Sequence, residues 1–272
     1  MAHTILAIIG DTHIGSSTAL APPTFEIHNE DTNEAQVVHH NRLQAWLWDN
    51  WIEYWDYVKT LAGVRGKHRK NRIVVVHMGD VIDGNHHGTM QIIQDVGDQM
   101  LIALDVLQPV FDMADLSYGI LGTELHAGKS NGQEVAIYKS LGATDYNQHL
   151  ALEVDDKIHD FVHHRRAGLR PWTSAAAGIV TEVVNSYAQA GMQSPHFIWG
   201  AHNHVIDDSG NKHRRGRAII IPSWQLRTTY GYRVSSNSLL TDIGGYIVNN
   251  GVVDDSRSRY LAEPDSIKVT KI

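Results

Sequence analysis

Five short segments of the sequence carry side chains able to hold a hard cation. In chain order they are Asp11-Thr12-His13, Gly79-Asp80, Gly122-Thr123-Glu124-Leu125-His126, His163-His164 and Gly200-Ala201-His202-Asn203-His204. Carboxylate and imidazole donors without thiolate suit Mn, Fe, Zn or Mg. The chain has no cysteine, which excludes a disulfide framework and a Cys-based zinc site. Any one segment taken alone reads as readily as a surface histidine or a capping aspartate. All five together point to a metal site.

Three of the segments directly follow apolar or β-branched runs, Ile5 to Ile9, Ile73 to Met78 and His196 to Trp199. Such runs read as buried strands, so the ligands fall at strand carboxyl ends, where open α/β sheets build their sites. Asp11 and His13 are separated by one residue, which lets both converge on one ion. Gly79 before Asp80 permits a tight turn and close backbone approach. His202 and His204 share a face if the backbone stays extended, and a turn would split them between two ions.

The rest of the pattern supplies the frame. Residues 4–9, 73–78, 116–121, 196–199, 217–221, 245–248 and 266–271 read as strands. Residues 150–154 and 158–162 read as a hairpin around Asp155-Asp156. Helices are expected over 40–62, 92–114 (with Pro109 inside), 133–141 and 174–190. The polar stretch from Ser16 to about Val38 reads as a loop or lid insertion. The order is βαβ-like early and β-rich late, which predicts two packed sheets flanked by helices in a single domain over 1–272, with a lid or helical insertion at about 16–62. In the helix at 40–62, Leu43, Leu47, Trp51, Tyr54, Val58 and Leu61 recur on one face. Core packing is the plain reading of that face, and an aromatic wall that stacks bases is the sharper one.

Composition sets bounds. The 272 residues carry a net charge of -7 with 42% hydrophobic residues, which gives a sizeable core and argues against a strongly basic face for duplex phosphates. Two local basic clusters, Arg65 to Lys70 and Lys212 to Arg217, read as solvated turns or as phosphate contacts. Apolar runs fall short of the roughly 20 residues that span a bilayer, and the first residues do not read as a secretory signal. A soluble cytoplasmic protein without a membrane partner is expected, its oligomeric state open.

The series Asp11-x-His13, Gly79-Asp80-x-x-Asp83-Gly84, Gly122 to His126, His163 and Gly200-x-His202-x-His204 resembles the calcineurin-like metallophosphoesterase superfamily over about residues 4–206. The resemblance implies a four-layer α/β/β/α sandwich of two mixed sheets and a centre of two divalent metal ions (Mn, Fe, Zn or Mg, with Mn favoured). It implies that Asp11, His13, Asp80 and His204 hold one metal, and that Asp80, His163 and His202 hold the other, together with an oxygen from the third motif. That motif departs from the family's usual Gly-Asn-His followed by an acid. Glu124 or Thr123 would supply the oxygen, with Glu124 favoured, and His126 would be the catalytic histidine. A Gly-Thr-Glu-x-His signature of this kind resembles members of bacteriophage and mobile-element origin.

The implied reaction is hydrolysis of a phosphoester. A metal-bridging hydroxide attacks phosphorus, two cations about 3.5 to 4 Å apart neutralise the phosphoryl oxygens, and His126 assists the leaving group. A phosphodiesterase or nuclease-like enzyme is the first reading, with nucleic acid as one substrate class, and a phosphomonoesterase is the alternative. His164, Lys129 in Gly128-Lys129-Ser130, and His87 are candidate substrate contacts. Asp83 is expected to hold its loop and orient a ligand histidine. Pro222 to Gln225 and Arg227 follow a late strand and read either as closing one side of the site or as a packing turn. A non-catalytic scaffold of the same fold would lack the catalytic histidine, and a His/Asp amidohydrolase would begin with His-x-His on its first strand.

Overall fold

The computed structural model describes residues 2–28, 32, 34–66, 68–85, 91–165, 175–212, 214–228 and 241–261. Its strands and helices run in the order β1 (Thr4–Ile9), β2 (Thr24–His28), β3 (Ala35–His39), α1 (Arg42–Ala62), β4 (Arg72–His77), α2 (Val96–Met113), β5 (Leu116–Ile120), α3 (Glu124–Ala127), α4 (Gly132–Ser140), β6 (Asp145–Asn147), β7 (His149–Val154), β8 (Lys157–Val162), α5 (Ala175–Gln189), β9 (Phe197–Gly200), β10 (Asp207–Asp208), β11 (Arg217–Ile220), β12 (Tyr246–Asn249) and β13 (Val252–Asp254).

The apolar run of β1 is buried along its whole length, as a strand covered on both faces must be. It pairs in parallel with β4 in the register Ile5↔Ile73 to Ile9↔His77, and β4 pairs in parallel with β5. The six-stranded sheet is β13-β12-β1-β4-β5-β6 and the five-stranded sheet is β10-β11-β9-β8-β7. Both are mixed. The first adds antiparallel β12 to β1, and the second joins the β7–β8 hairpin to parallel β8, β9 and β11.

Three apolar clusters define the layers. Leu6, Ile8, Val74, Val76 and Met78 of the first sheet meet Phe161, Trp199, Ile219 and Ile221 of the second. On the outer face of the first sheet, Ile5, Ala7, Ile73 and Val75 pack under Leu47, Trp51 and Val58 of α1, Val106 of α2 and Ile137 of α4. Ala176, Ile179 and Val180 of α5 cover Ile198, Ala218 and Ile220 of the second sheet. The result is the expected four-layer α/β/β/α sandwich. Within it the aromatic face of α1 belongs to the core: Trp51 meets Trp224 edge-on with ring centroids 5.0 Å apart, and Trp55 packs against both Trp51 and Tyr54.

Two local expectations are revised. The stretch read as loop from Ser16 to Val38 contains the antiparallel hairpin β2–β3 and the buried run Ala19-Leu20-Ala21. His28 fastens this hairpin to α2 by donating its backbone N–H to Asp98 Oδ2 at 2.6 Å. The helix expected from residue 92 begins at Val96, because Asp95 caps it by accepting the Asp98 N–H at 2.8 Å. The strand expected over 266–271 lies outside the described residues. No helix among the described residues is long and apolar enough to cross a membrane.

Candidate metal centre

Parallel pairing brings strand ends to one edge of each sheet, and there the ligand segments leave. Asp11 and His13 follow β1, Asp80 follows β4, and His126 sits in α3 beyond β5. From the second sheet, His163 follows β8, while His202 and His204 follow β9. The turns are locked to one another by backbone bonds: Asp11 N–H donates to Gly79 O at 2.9 Å, His13 N–H to Asp80 O at 3.0 Å, and Ala201 N–H to His163 O at 2.8 Å. Asp11, His13, Asp80, His202 and His204 all have positive φ, from 41° to 74°. Non-glycine residues adopt this region rarely, and such strain collects at functional sites.

The side chains form three overlapping groups whose ligand atoms lie within 4.8 Å of one another: Asp11, His13 and His204; His13, Asp80 and His126; and Asp80, His163 and His202. His13 and Asp80 each belong to two groups. The Nε2 atoms of His13 and His204 are 3.1 Å apart. His163 Nε2 lies 3.0 Å from Asp80 Oδ2. A backbone carbonyl can only accept, so the bonds from His163 Nδ1 to Met78 O (2.6 Å) and from His126 Nδ1 to Asp83 O (2.7 Å) place a proton on each Nδ1. Each Nε2 is thereby turned into the cluster.

These groups titrate away from their ordinary ranges. Burial would lower His163, but the Asp80 and Asp11 carboxylates overcome it and hold the imidazolium up at about 10. His13 is likewise raised against burial, by Asp11 and Asp80. Burial lowers His204. Asp11 and Asp80 stay ionised despite complete burial, because the surrounding imidazoles hold both well below the usual carboxylate range. His163 Nε2 is paired with Asp80, whereas Asp11 Oδ1 is buried without a hydrogen-bond partner, His13 Nε2 and His204 Nε2 standing 3.8 Å and 3.5 Å away. Two buried carboxylates, converging imidazole nitrogens and an orphaned carboxylate oxygen fit hard divalent cations.

Surrounding groups hold this arrangement in place. Asp80 Oδ1 accepts from Thr123 N–H at 2.7 Å and from Thr123 Oγ1 at 3.1 Å. Asp83 Oδ1 lies 3.7 Å from His13 Nδ1, and the Asp83 carboxylate is bonded by Gln91 and Gln225. The Trp224 backbone N–H donates to Asp11 O at 3.0 Å, which ties the segment after β11 to the Asp11 turn while the Trp224 side chain packs in the core against Trp51. Buried His77 donates from Nε2 to Thr12 Oγ1, whose hydroxyl is committed to Val81 O, and accepts Gly79 N–H on Nδ1. Burial holds it down at about 3, which keeps it neutral behind the cluster.

Not every candidate enters the cluster. Glu124 is exposed at the start of α3, and its carboxylate accepts Ser130 N–H at 3.1 Å. Thr123 Oγ1 is the third-motif oxygen beside Asp80. His164 is exposed, and its ring lies against that of His202 with centroids 4.2 Å apart. Lys129 is exposed in the turn between α3 and α4. His87 lies outside the described residues. Sequence reasoning missed Glu134, a fully buried acid on α4 whose two oxygens accept Val81 N–H at 3.0 Å and Gly122 N–H at 2.6 Å. In the sequence it is one more acid near a helix start, and only its complete burial sets it apart.

No family model matches the chain, and no curated protein matches it. Among solved structures, the chain is similar to an archaeal phosphodiesterase at 10% identity, covering 90% of this chain and 92% of that one with a TM-score of 0.39. It is similar to a predicted phosphoesterase from Streptococcus pneumoniae at 10% identity, with 91% and 83% covered and a TM-score of 0.38. It is also similar to wild-type Vps29 complexed with zinc from Entamoeba histolytica, at 12% identity, with 92% and 96% covered and a TM-score of 0.36.

Proposed function

We propose that this chain is a metal-dependent phosphoester hydrolase that holds two divalent cations, Mn²⁺ favoured, and acts on phosphodiesters. We read it, on the Gly-Thr-Glu-x-His segment, as a relative of bacteriophage and mobile-element metallophosphoesterases. The observation that carries the function is that Asp80 belongs to two ligand groups, one with His13 and His126 and one with His163 and His202, while His13 links the first of these to Asp11 and His204.

Asp11, His13 and His204 would hold one cation and His163 and His202 the other, with Asp80 common to both. Cations at such a site neutralise phosphoryl oxygens and acidify water. The protein's own contribution is preorganisation. The locked turns fix the donors before substrate arrives, so little reorganisation is needed at the moment of reaction. His126 is committed through Nδ1 to Asp83 O, so Nε2 is the atom that carries a proton to a leaving oxygen. Thr123 Oγ1 is the nearer third-motif oxygen, and Glu124 joins the second cation only if its carboxylate leaves the Ser130 amide. His164 beside His202, together with Lys129 and His87, would contact the phosphoester. The buried aromatic face of α1 does not serve as a base-stacking wall, and the net charge of -7 opposes tight duplex binding. A short single strand or a small diester therefore suits the site better than a duplex.

The test is to strip the purified chain, reload it with Mn²⁺ and assay bis-p-nitrophenyl phosphate against p-nitrophenyl phosphate. Metal-dependent cleavage with the diester preferred supports the proposal. Preference for the monoester transfers it to the phosphomonoesterase reading, and bound metal without turnover of either substrate contradicts it.

A further inference from the structure

Among the described residues, Glu134 stands out because it is fully buried and its carboxylate is bonded only to backbone amides. A buried carboxylate without a cation is costly, and such groups are kept where their hydrogen bonds fix something specific. Burial and the charge of Asp80 push it up to about 7, against the two amides that favour its ionised form.

What those amides fix is visible in the turns. Val81 directly follows Asp80 on the turn beyond β4, and Gly122 directly precedes Thr123 on the turn beyond β5. Thr123 donates twice to Asp80 Oδ1. The two turns touch closely enough that a Cβ on Gly79 would stand 2.7 Å from Gly122 N. Glu134 therefore bridges the backbone beside Asp80 to the backbone beside the group that orients its carboxylate. A glutamine offers one acceptor oxygen and cannot satisfy both amides.

We propose that Glu134 is a positioning residue that holds Asp80 in the orientation needed to serve both ligand groups at once. The inference rests on the metal-centre reading above. It makes a distinction that a merely structural role would not: loss of Glu134 weakens both cations together, because they share Asp80, whereas loss of His202 weakens one.

The experiment compares the full-length wild type with Glu134→Gln, Glu134→Asp and His202→Ala. Mn²⁺ binding is measured by equilibrium dialysis, and amide hydrogen exchange at Val81 and Gly122 is followed without added metal. Glu134→Gln is expected to lower affinity at both sites by roughly 10–100-fold, the usual effect of losing an outer-sphere partner, and to raise exchange at one or both amides. If Glu134→Gln folds poorly, Glu134→Asp, shorter by one methylene, is expected to lower both affinities by a smaller factor. Wild-type binding with undiminished affinity in the folded variants overturns the inference alone. A wild type that binds no Mn²⁺ overturns the metal-centre reading and the inference with it.

Discussion

His13 Nε2 and His204 Nε2 face each other at 3.1 Å, although 191 residues separate them in sequence. Two imidazole lone pairs at that distance repel unless a proton or a cation lies between them. Asp11 and Asp80 raise His13 while burial lowers His204, and a cation bound by Asp11, His13 and His204 would take the place of a proton between the two rings. His204→Ala is therefore expected to cost the first cation more than the roughly 10–100-fold typical of outer-sphere losses while leaving the group of Asp80, His163 and His202 able to bind one ion. Metal content after dialysis checks this, and two ions retained per chain would contradict it.

His126 can act as a proton donor or as a further ligand, since it lies in a group with His13 and Asp80. The donor role predicts that His126→Asn lowers kcat by about 10²–10⁴, more for poor leaving groups than for p-nitrophenolate, with metal content unchanged. Rates across a series of aryl phosphodiesters would show a steeper dependence on leaving-group pKa in the variant. Loss of one bound ion would instead make His126 a ligand.

Gly122 has no room for a side chain, because a Cβ there would collide with Asp80 Oδ1 and Asp80 N. Gly122→Ala is expected to displace the Asp80 carboxylate, to abolish binding of both ions and to destabilise the fold by about 1–3 kcal/mol, as overpacking does. Urea unfolding and metal analysis on the same sample measure both effects. A variant that binds two ions normally would show that Asp80 is not held where the structure has it.

His159 supplies a pH dependence independent of the ligands. It is buried against Phe161, Phe197 and Trp199, accepts Trp199 Nε1–H on Nδ1 at 3.1 Å, and is held down at about 3 by burial. The unfolded chain, with an ordinary histidine near 6.5, binds more protons than the folded one between those values. The contribution to stability is thus fully present above pH 6.5 and declines as pH falls toward 3, by up to about 1.4 kcal/mol per unit. His159→Phe, which keeps the stacking, is expected to flatten this slope in urea unfolding between pH 6 and 4. An unchanged slope would assign it to other groups.

The fold was legible wherever burial imposed a simple pattern. The continuous apolar runs of β1 and β4 and the Asp155-Asp156 turn between β7 and β8 all signal themselves locally, and both turn residues have positive φ. The β2–β3 hairpin was not legible, because six of its ten residues are exposed, apolar Ala35 and Val37 among them, and only Phe25 is buried. The segments of the site were legible for a related reason: each is a ligand type placed just after a strand, with a glycine (Gly10, Gly79, Gly122, Gly200) leading into it in four of the five. Their grouping was not, since it depends on which strand ends the two sheets bring together. Glu134 was least legible of all. Its role lies in contacts with turns 12 and 53 residues away, and nothing adjacent in sequence marks it.

The measurement that most directly tests the central claim is anomalous diffraction from crystals of the full chain soaked in Mn²⁺. The account predicts two anomalous peaks flanking Asp80, one beside Asp11, His13 and His204 and the other beside His163 and His202. An ordered cluster with no peak at saturating Mn²⁺, or manganese bound only away from Asp80, would contradict it.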